Sequence, residues 1–543
     1  MNRKLNKNSF MRGTIIASSS IIFVKILGAL YVIPFYKIIG EQGGALYSYA
    51  YTIYNLFLNI STAGIPIALS MIVSEFCTRN MYEAKERAYK ISKRLVAILS
   101  LISFLIIFIF ADHIAYFITS GNTGLNTISD ISLVIRAISI CLLITPLLGV
   151  LRGYLQGHKF IAPSSMSQVF EQIVRIIVVL LGSYLAIIVY NSHVSVGVGL
   201  ALTGAFAGAL FAYLFLRLRI SENKEEFPKS EVKDEITNKQ IIKKILFYCT
   251  PVILTSIVSN LYETIDLKFI IKGLNMVNYN PWDVEVIASV ITTWTPKICV
   301  LVTAISMGLI TSLIPHIVSS FVKKNMKDVN DKFNLAINTM LFATIPMTLA
   351  IIFLSNEIYY LFYGYSEYGS IVLKHIIVVN LFSSLVTICN TVLQGMKKFK
   401  LIYISIVIGL VLNAILDIPM ILLFDRLGFY PYVATMVSSI IGYFTSFMIV
   451  MFVLKKKFDF KYNSIIKVSL KMILPLLSMI AILVLPYFIK MEQNLINTII
   501  RLVLFGGLSV LVYILIAHKN GLIEDIFGTN PIDMIKSRIK KND

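Results

Sequence analysis

Stretches of some twenty apolar residues recur along the whole chain, each closed off by a short polar loop. About twenty helical residues cross a bilayer core of roughly 30 Å. In that core every backbone polar group must bond within its own segment, so such stretches are helices. Alternating ten-residue segments of the β-barrel kind do not occur. A soluble chain of 543 residues would carry nearer a quarter charged residues, whereas this one has 14% charged and 57% apolar. Fourteen spans are expected, at 12–36, 43–76, 95–118, 131–151, 161–189, 195–216, 241–271, 286–320, 335–355, 370–395, 401–424, 431–454, 466–489 and 498–517. The second and eighth exceed one straight crossing, which predicts breaks near Gly64–Pro66 and near Pro296 or Gly308.

Loop charge tests the count. Taken alternately, the loops place thirty-seven Lys and Arg on one side and four (Lys37, Lys272, Arg426, Lys490) on the other. One miscounted helix would invert every later loop. The basic side is cytoplasmic, which puts both termini there. A net charge of +20 is thereby explained by loops facing anionic lipid, and nucleic-acid binding is excluded as its reason. The basic N-terminus before an apolar run is not a signal peptide, because no small-residue cleavage site follows Pro34. Five scattered cysteines form no CxxC pair and the six histidines show no metal-ligand spacing.

The hydrophilic stretch 221–240 separates six spans from eight. YLQGHKF at 154–160 is echoed by VLQGMKKF at 392–399, and IVS at 72–74 by IVS at 317–319, on corresponding helices of the two sides. A six-helix repeat is even, so its copies run parallel, a transporter architecture with the substrate site between halves. The expectation is an all-α integral membrane protein of about fourteen helices in two parallel six-helix lobes plus two C-terminal helices. The lobes are 1–220 and 241–455, the cytoplasmic linker 221–240, and the remainder, with helices thirteen and fourteen, 456–543.

Charge within hydrocarbon costs about 2.5–3.5 kcal/mol on insertion scales, so each instance needs a reason. Lys268, Lys374, Lys471 and Arg501 lie near helix ends, from which they can snorkel. Lys25 sits mid-helix, too far from either end, and is read as facing a cavity; Lys297 follows Pro296 in an opened helix. Glu171 and Arg175 share a helix face in the favourable order, either as a self-neutralising pair or as a substrate contact, with Arg136 one helix earlier as a third candidate. Glu263 and Asp266 share another face, Asn413 and Asp417 a third, and Thr435 opens the next helix. These are either hard oxygen donors for a small cation or partners for Lys25, Lys297 and backbone. No nucleophile elbow, GxxxxGK[ST] or HExxH is present, so no enzyme is expected.

These residues resemble the multidrug/oligosaccharidyl-lipid/polysaccharide exporter superfamily, within it the MurJ-type lipid II flippases and stage V sporulation protein B. The resemblance covers nearly the whole chain and is carried by RGYLQGHKFIAPSSMSQVFEQIVR at 152–175, FVKILG at 23–28, STAGIPIALSMIVSE at 61–75 and LITSLIPHIVSS at 309–320. It implies a two-lobe fold alternating between inward- and outward-open states in the bacterial cytoplasmic membrane. It also implies a cationic cavity for a polyprenyl-pyrophosphate-linked glycan, and a groove on helices thirteen and fourteen for the polyprenyl tail. Lys25 stands where the family has a cavity arginine, and Lys297 stands near the place of another. Asn413 and Asp417 keep the spacing of a sodium site found in some members, with Asp266 and Thr435 as companions; no other cofactor is implied. Val32 and Leu58 replace basic residues that relatives carry, which thins the first-lobe anion site.

The resemblance implies lipid II as cargo, and membrane lipids as the surroundings. Rival readings are export of another lipid-linked repeat unit, a drug or cation antiporter, a non-transporting envelope scaffold, and a membrane glycosyl ligase. Lys25 opposes the antiporter, whose first lobe should be acidic. Insertion cost opposes the scaffold, and short external loops oppose the ligase.

Overall fold

The computed structural model describes residues 20–527, apart from 21–22, 29, 63, 120, 122–123, 159, 224, 226, 228–235, 301, 304–316, 318–319, 322, 490–491 and 493; at 78 and 251–259 it describes the backbone alone. The described residues are helical throughout, without a strand. In chain order the helices are α1 (23–28), α2 (Val32–Thr62), α3 (Ile65–Thr78), α4 (Tyr82–Ile109), α5 (Ala111–Thr119), α6 (Ile128–Ser139), α7 (Thr145–Gly157), α8 (Ile161–Tyr184) and α9 (Val194–Glu222). Then come α10 (Asn238–Met276), α11 (Pro281–Ser289), α12 (295–300), α13 (Met326–Phe353), α14 (Ser355–Tyr363), α15 (Gly369–Gly395), α16 (Phe399–Arg426) and α17 (Val433–Phe458). The last are α18 (Asn463–Val484), α19 (Leu495–Arg501), α20 (Gly507–Lys519) and α21 (Leu522–Phe527).

Among the described residues, eleven stretches are long and apolar enough to cross a membrane. One of them, Phe23–Cys77, contains two interruptions. Gly40, at φ 63°, marks the end of the first expected span, and Gly64, at φ 65°, breaks the second just before Pro66 at the start of α3. Both positions lie in the left-handed region that glycine alone enters without strain. In the eighth expected span the helix widens to a π-turn over Val290–Trp294, immediately ahead of Pro296. Gly308 lies outside the described residues.

By its internal packing the chain divides into two units, 1–293 and 294–543. That boundary differs from the repeat boundary expected at 221–240. The physical reason is that α10 and α11 pack on α2 and α3 of the first unit. Glu75 of α3 pairs with Lys244 of α10 at 2.6 Å. Arg87 of α4 donates to the Ile236 carbonyl at 2.7 Å and to Asn238 at 3.2 Å. Phe227, within the hydrophilic stretch, is buried among the rings of Tyr154, His158 and Phe160. Toward the other end, Glu285 of α11 accepts from Gly124 N and Asn126 Nδ2, both at 2.8 Å.

Small residues set the helix spacing in the first unit. A Cβ at Gly153 of α7 would meet the Pro66 carbonyl oxygen at 2.3 Å, and one at Gly208 of α9 would meet that of Glu171 at 2.4 Å. Lipid tails are as apolar as leucine, so close backbone approach supplies the attraction that water supplies elsewhere. Gly208→Leu is expected to destabilise the fold by about 1–3 kcal/mol through overpacking, read as a lower melting temperature of the detergent-purified protein. Gly182→Ala, whose new Cβ would find its nearest atoms at 3.6 Å, should leave that temperature unchanged.

Candidate functional site

The chain turns back between α7 and α8 around His158–Phe160, laying two helices side by side. Arg152 and Ser167 lie about equally far from the turn, and they meet: Arg152 Nε donates to Ser167 Oγ at 2.8 Å. Arg152 Nη2 reaches Glu171 Oε2 at 2.9 Å, while Arg175 Nη2 reaches Glu171 Oε1 at 2.5 Å. One carboxylate therefore holds two guanidiniums, and the group keeps a positive excess. All three side chains are mostly buried. Its cost in an apolar surround is offset by hydrogen bonds that use both carboxylate oxygens and a hydroxyl.

Two further elements border this group. Gly28 of α1 lies close enough to Gln172 of α8 that a Cβ there would sit 3.4 Å from Nε2. Lys25 is one turn earlier on α1 and half-buried. From α2 comes a series of phenols: Tyr31 and Tyr47 share a hydrogen bond of 3.2 Å, and Tyr47 stacks on Tyr51 at 4.7 Å. Tyr51 meets Tyr54 edge-on at 5.8 Å, and Tyr54 donates to Thr145 at the start of α7. The phenols of Tyr31, Tyr51 and Tyr54 lie within electrostatic reach of Arg175. Two guanidiniums from α7 and α8 thus converge on one carboxylate, with the Ser167 hydroxyl on one of them and the phenols near the other, a donor-rich environment suited to phosphate oxygens.

Not every expected member joins. Arg136 does not approach Glu171 or Arg175; it pairs with Asp112 at 2.6 Å and donates to the Phe108 carbonyl at 3.3 Å, with both charged side chains substantially exposed. Its nearest acid comes from the neighbouring short helix, which spacing along its own helix could not reveal. Arg152 was counted among loop cations, and its role was missed; folding the α7–α8 hairpin about its turn would have exposed the register with Ser167. Lys297 belongs to the second unit, where its ammonium lies 4.4 Å over the ring of buried Trp294. The Trp294 carbonyl accepts from Tyr363 at 2.9 Å. Three of the cations expected to snorkel have partners: Lys268 the face of Phe117, Lys471 the carboxylate of Asp525 and Arg501 that of Glu357.

The oxygen donors divide between the units. Asn413 and Asp417 of α16 are fully buried, and α16 packs along α17, which carries the buried Thr435. Thr435 donates to the Tyr432 carbonyl at 3.2 Å, leaving its oxygen able to accept. A buried carboxylate, an amide and a hydroxyl are donors that fit a sodium ion. Asp266 sits on α10 in the first unit, three residues from Glu263. No group of three or more His, Cys, Asp or Glu among the described residues is placed to hold a metal ion. The five cysteines are free thiols, four of them buried.

Comparison with known proteins gives the class first. A polysaccharide biosynthesis protein family model matches residues 10–275, and the MatE model matches 251–418. The fold is that of a solved lipid II flippase MurJ in an inward closed conformation, with TM-score 0.64, 18% identity and coverage of 94% of this chain and 100% of that one. An inward-facing multidrug resistance MATE family transporter matches with TM-score 0.60 at 16% identity, over 82% of this chain and 99% of that one. The fold is therefore that of these multi-pass membrane transporters. Lipid II flippase MurJ of Bacillus subtilis (strain 168) is 30% identical over 536 residues, 96% of this chain and 97% of that one. Stage V sporulation protein B of the same organism is 24% identical over 361 residues, 66% and 68% of the two chains. The chain belongs to the family of MurJ-type flippases and stage V sporulation protein B.

The shared carboxylate and the peripheral pair should respond differently to truncation. Glu171→Ala leaves two mostly buried guanidiniums facing each other and is expected to cost about 3 kcal/mol. Arg136→Ala removes an exposed pair worth under about 1 kcal/mol. Thermal unfolding of the two purified variants checks the contrast.

Proposed function

We propose that the protein carries lipid II, a polyprenyl-pyrophosphate disaccharide-peptide, across the cytoplasmic membrane by alternating access, with both of its termini cytoplasmic. The single observation that supports this reading most is the net-positive cluster of Arg152, Glu171 and Arg175 next to the helix of Lys25, in a chain whose family includes a lipid II flippase. A pyrophosphate needs cations that are held out of bulk water, where each is worth more. Lys25, Arg152 and Arg175 supply them in the first unit.

Glu171 gives the site its reversibility. With no cargo it keeps both guanidiniums in place; an arriving pyrophosphate competes with it for them. Part of the binding energy is spent displacing that internal anion, so cargo is held without being trapped. Binding that is too favourable would halt the cycle at the loaded state. Membrane potential adds about 2.3 kcal/mol per charge per 100 mV. Sodium held by Asp417, Asn413 and Thr435 is the proposed coupling ion.

Rescue of a flippase-depleted strain tests the assignment. Lys25→Ala and Arg175→Ala are expected to fail, and Lys25→Arg to restore growth; full rescue by Lys25→Ala would remove that residue from the mechanism. In reconstituted vesicles, labelled lipid II should outcompete teichoic-acid and capsule precursors. Preferential transport of one of those would transfer the proposal to another lipid-linked repeat unit. Asp417→Asn should abolish any dependence of the rate on sodium while leaving lipid II binding intact.

A further inference from the structure

In the second unit, α14, the loop before α15 and the ends of α18 and α19 enclose two adjoining cavities of about 360 and 500 Å³. Both are lined by Asn356, Glu357, Glu492 and Arg501. Arg501 spans them: Nη1 pairs with Glu357 at 3.0 Å and Nη2 donates to the Ile489 carbonyl at 2.8 Å. Its Nε is buried and has no acceptor among the described residues. A buried guanidinium N–H without an acceptor is costly and calls for an anionic or carbonyl oxygen.

Glu367 also lines the first cavity, so once Glu357 is matched to Arg501, Glu367 and Glu492 remain as exposed carboxylates that no cation pairs among the described residues. The described residues gather no three acids on one point, as a metal ion would need. The negative charge is instead spread along the groove. Beside it Tyr487, Phe488, Ile496 and Val503 are 56%, 79%, 70% and 69% exposed. A polar groove edged by bare apolar side chains belongs at a membrane interface. Since α13 leaves the lysine-rich loop that includes Lys323, Lys324 and Lys327, the end of α13 next to α14 is the outer one.

We propose that this double cavity binds the headgroup of a phospholipid bearing a primary ammonium in the outer leaflet. Its phosphate meets the accessible part of the Arg501 side chain that lines both cavities, its ammonium meets Glu492 and Glu367, and its acyl chains lie over Tyr487, Phe488, Ile496 and Val503. The site owes nothing to the Arg152–Glu171–Arg175 cluster, and its test requires no transport.

Full-length protein in detergent is titrated with phosphatidylethanolamine, N-acetylated phosphatidylethanolamine, phosphatidylglycerol and chain-free glycerophosphoethanolamine, and bound lipid is read by native mass spectrometry. Phosphatidylethanolamine should bind several-fold more tightly than the other three. Each of Glu492→Gln and Glu367→Gln should reduce that preference by roughly threefold, the scale of an exposed ion pair. Equal binding of the N-acetylated lipid or of phosphatidylglycerol, or a preference that survives the double glutamine variant, overturns the proposal. Equal binding of glycerophosphoethanolamine overturns the assignment to a lipid. The comparison of lipids on the wild-type protein decides the matter even where a variant fails to fold.

Discussion

Hydrocarbon offers no hydrogen-bond partner, so every charge carried into it must find one on a neighbouring helix. The consequences run through the whole molecule. Glu171 is shared between Arg152 and Arg175, Arg501 is closed onto Glu357, and Lys297 lies over Trp294. The Arg152–Glu171 and Arg501–Glu357 pairings tie together elements that apolar side chains alone would leave free to slide, since lipid competes equally well for an apolar face. A polar contact in this environment therefore specifies register as well as charge.

Close packing supplies the remaining cohesion. In the first unit α9 approaches α8 at Gly204 and Gly208, and α7 approaches α3 at Gly153 and Gly157. The same approach positions the site, because the α8 carbonyls met by α9 are those of Glu171 and Arg175. Packing and charge are coupled there: the helix that carries the shared carboxylate is also tightly backed. A rigid backing keeps the guanidiniums in place while an anionic cargo exchanges with Glu171.

The hydrophilic segment 221–240 has a different character from what its composition suggests. Its polar residues read as a tether, yet Phe227 is inserted into an aromatic cluster and Ile236 offers its carbonyl to Arg87. Together with Glu75–Lys244 and the Glu285 contacts, this binds α10 and α11 to the first unit. A single phenylalanine among nineteen mostly polar neighbours is a faint signal, and whether it is buried depends on a pocket built by residues some seventy positions earlier.

By itself the sequence determined the all-helical, multi-pass nature of the chain, the irregularities near Gly64 and Pro296, the family, and the Glu171–Arg175 pairing on α8. Those features follow from local rules: run length against bilayer thickness, the conformational range of glycine and proline, and the cost of charge in hydrocarbon. Only the tertiary structure decided which charges meet. Glu171 and Arg175 were legible because four residues bring side chains to one helix face. Arg152 was not, because its partner lies across a turn, and neither was the Arg136–Asp112 pair, because Asp112 approaches from another helix. Sequence spacing reports geometry within one helix; between helices, distance is set by packing.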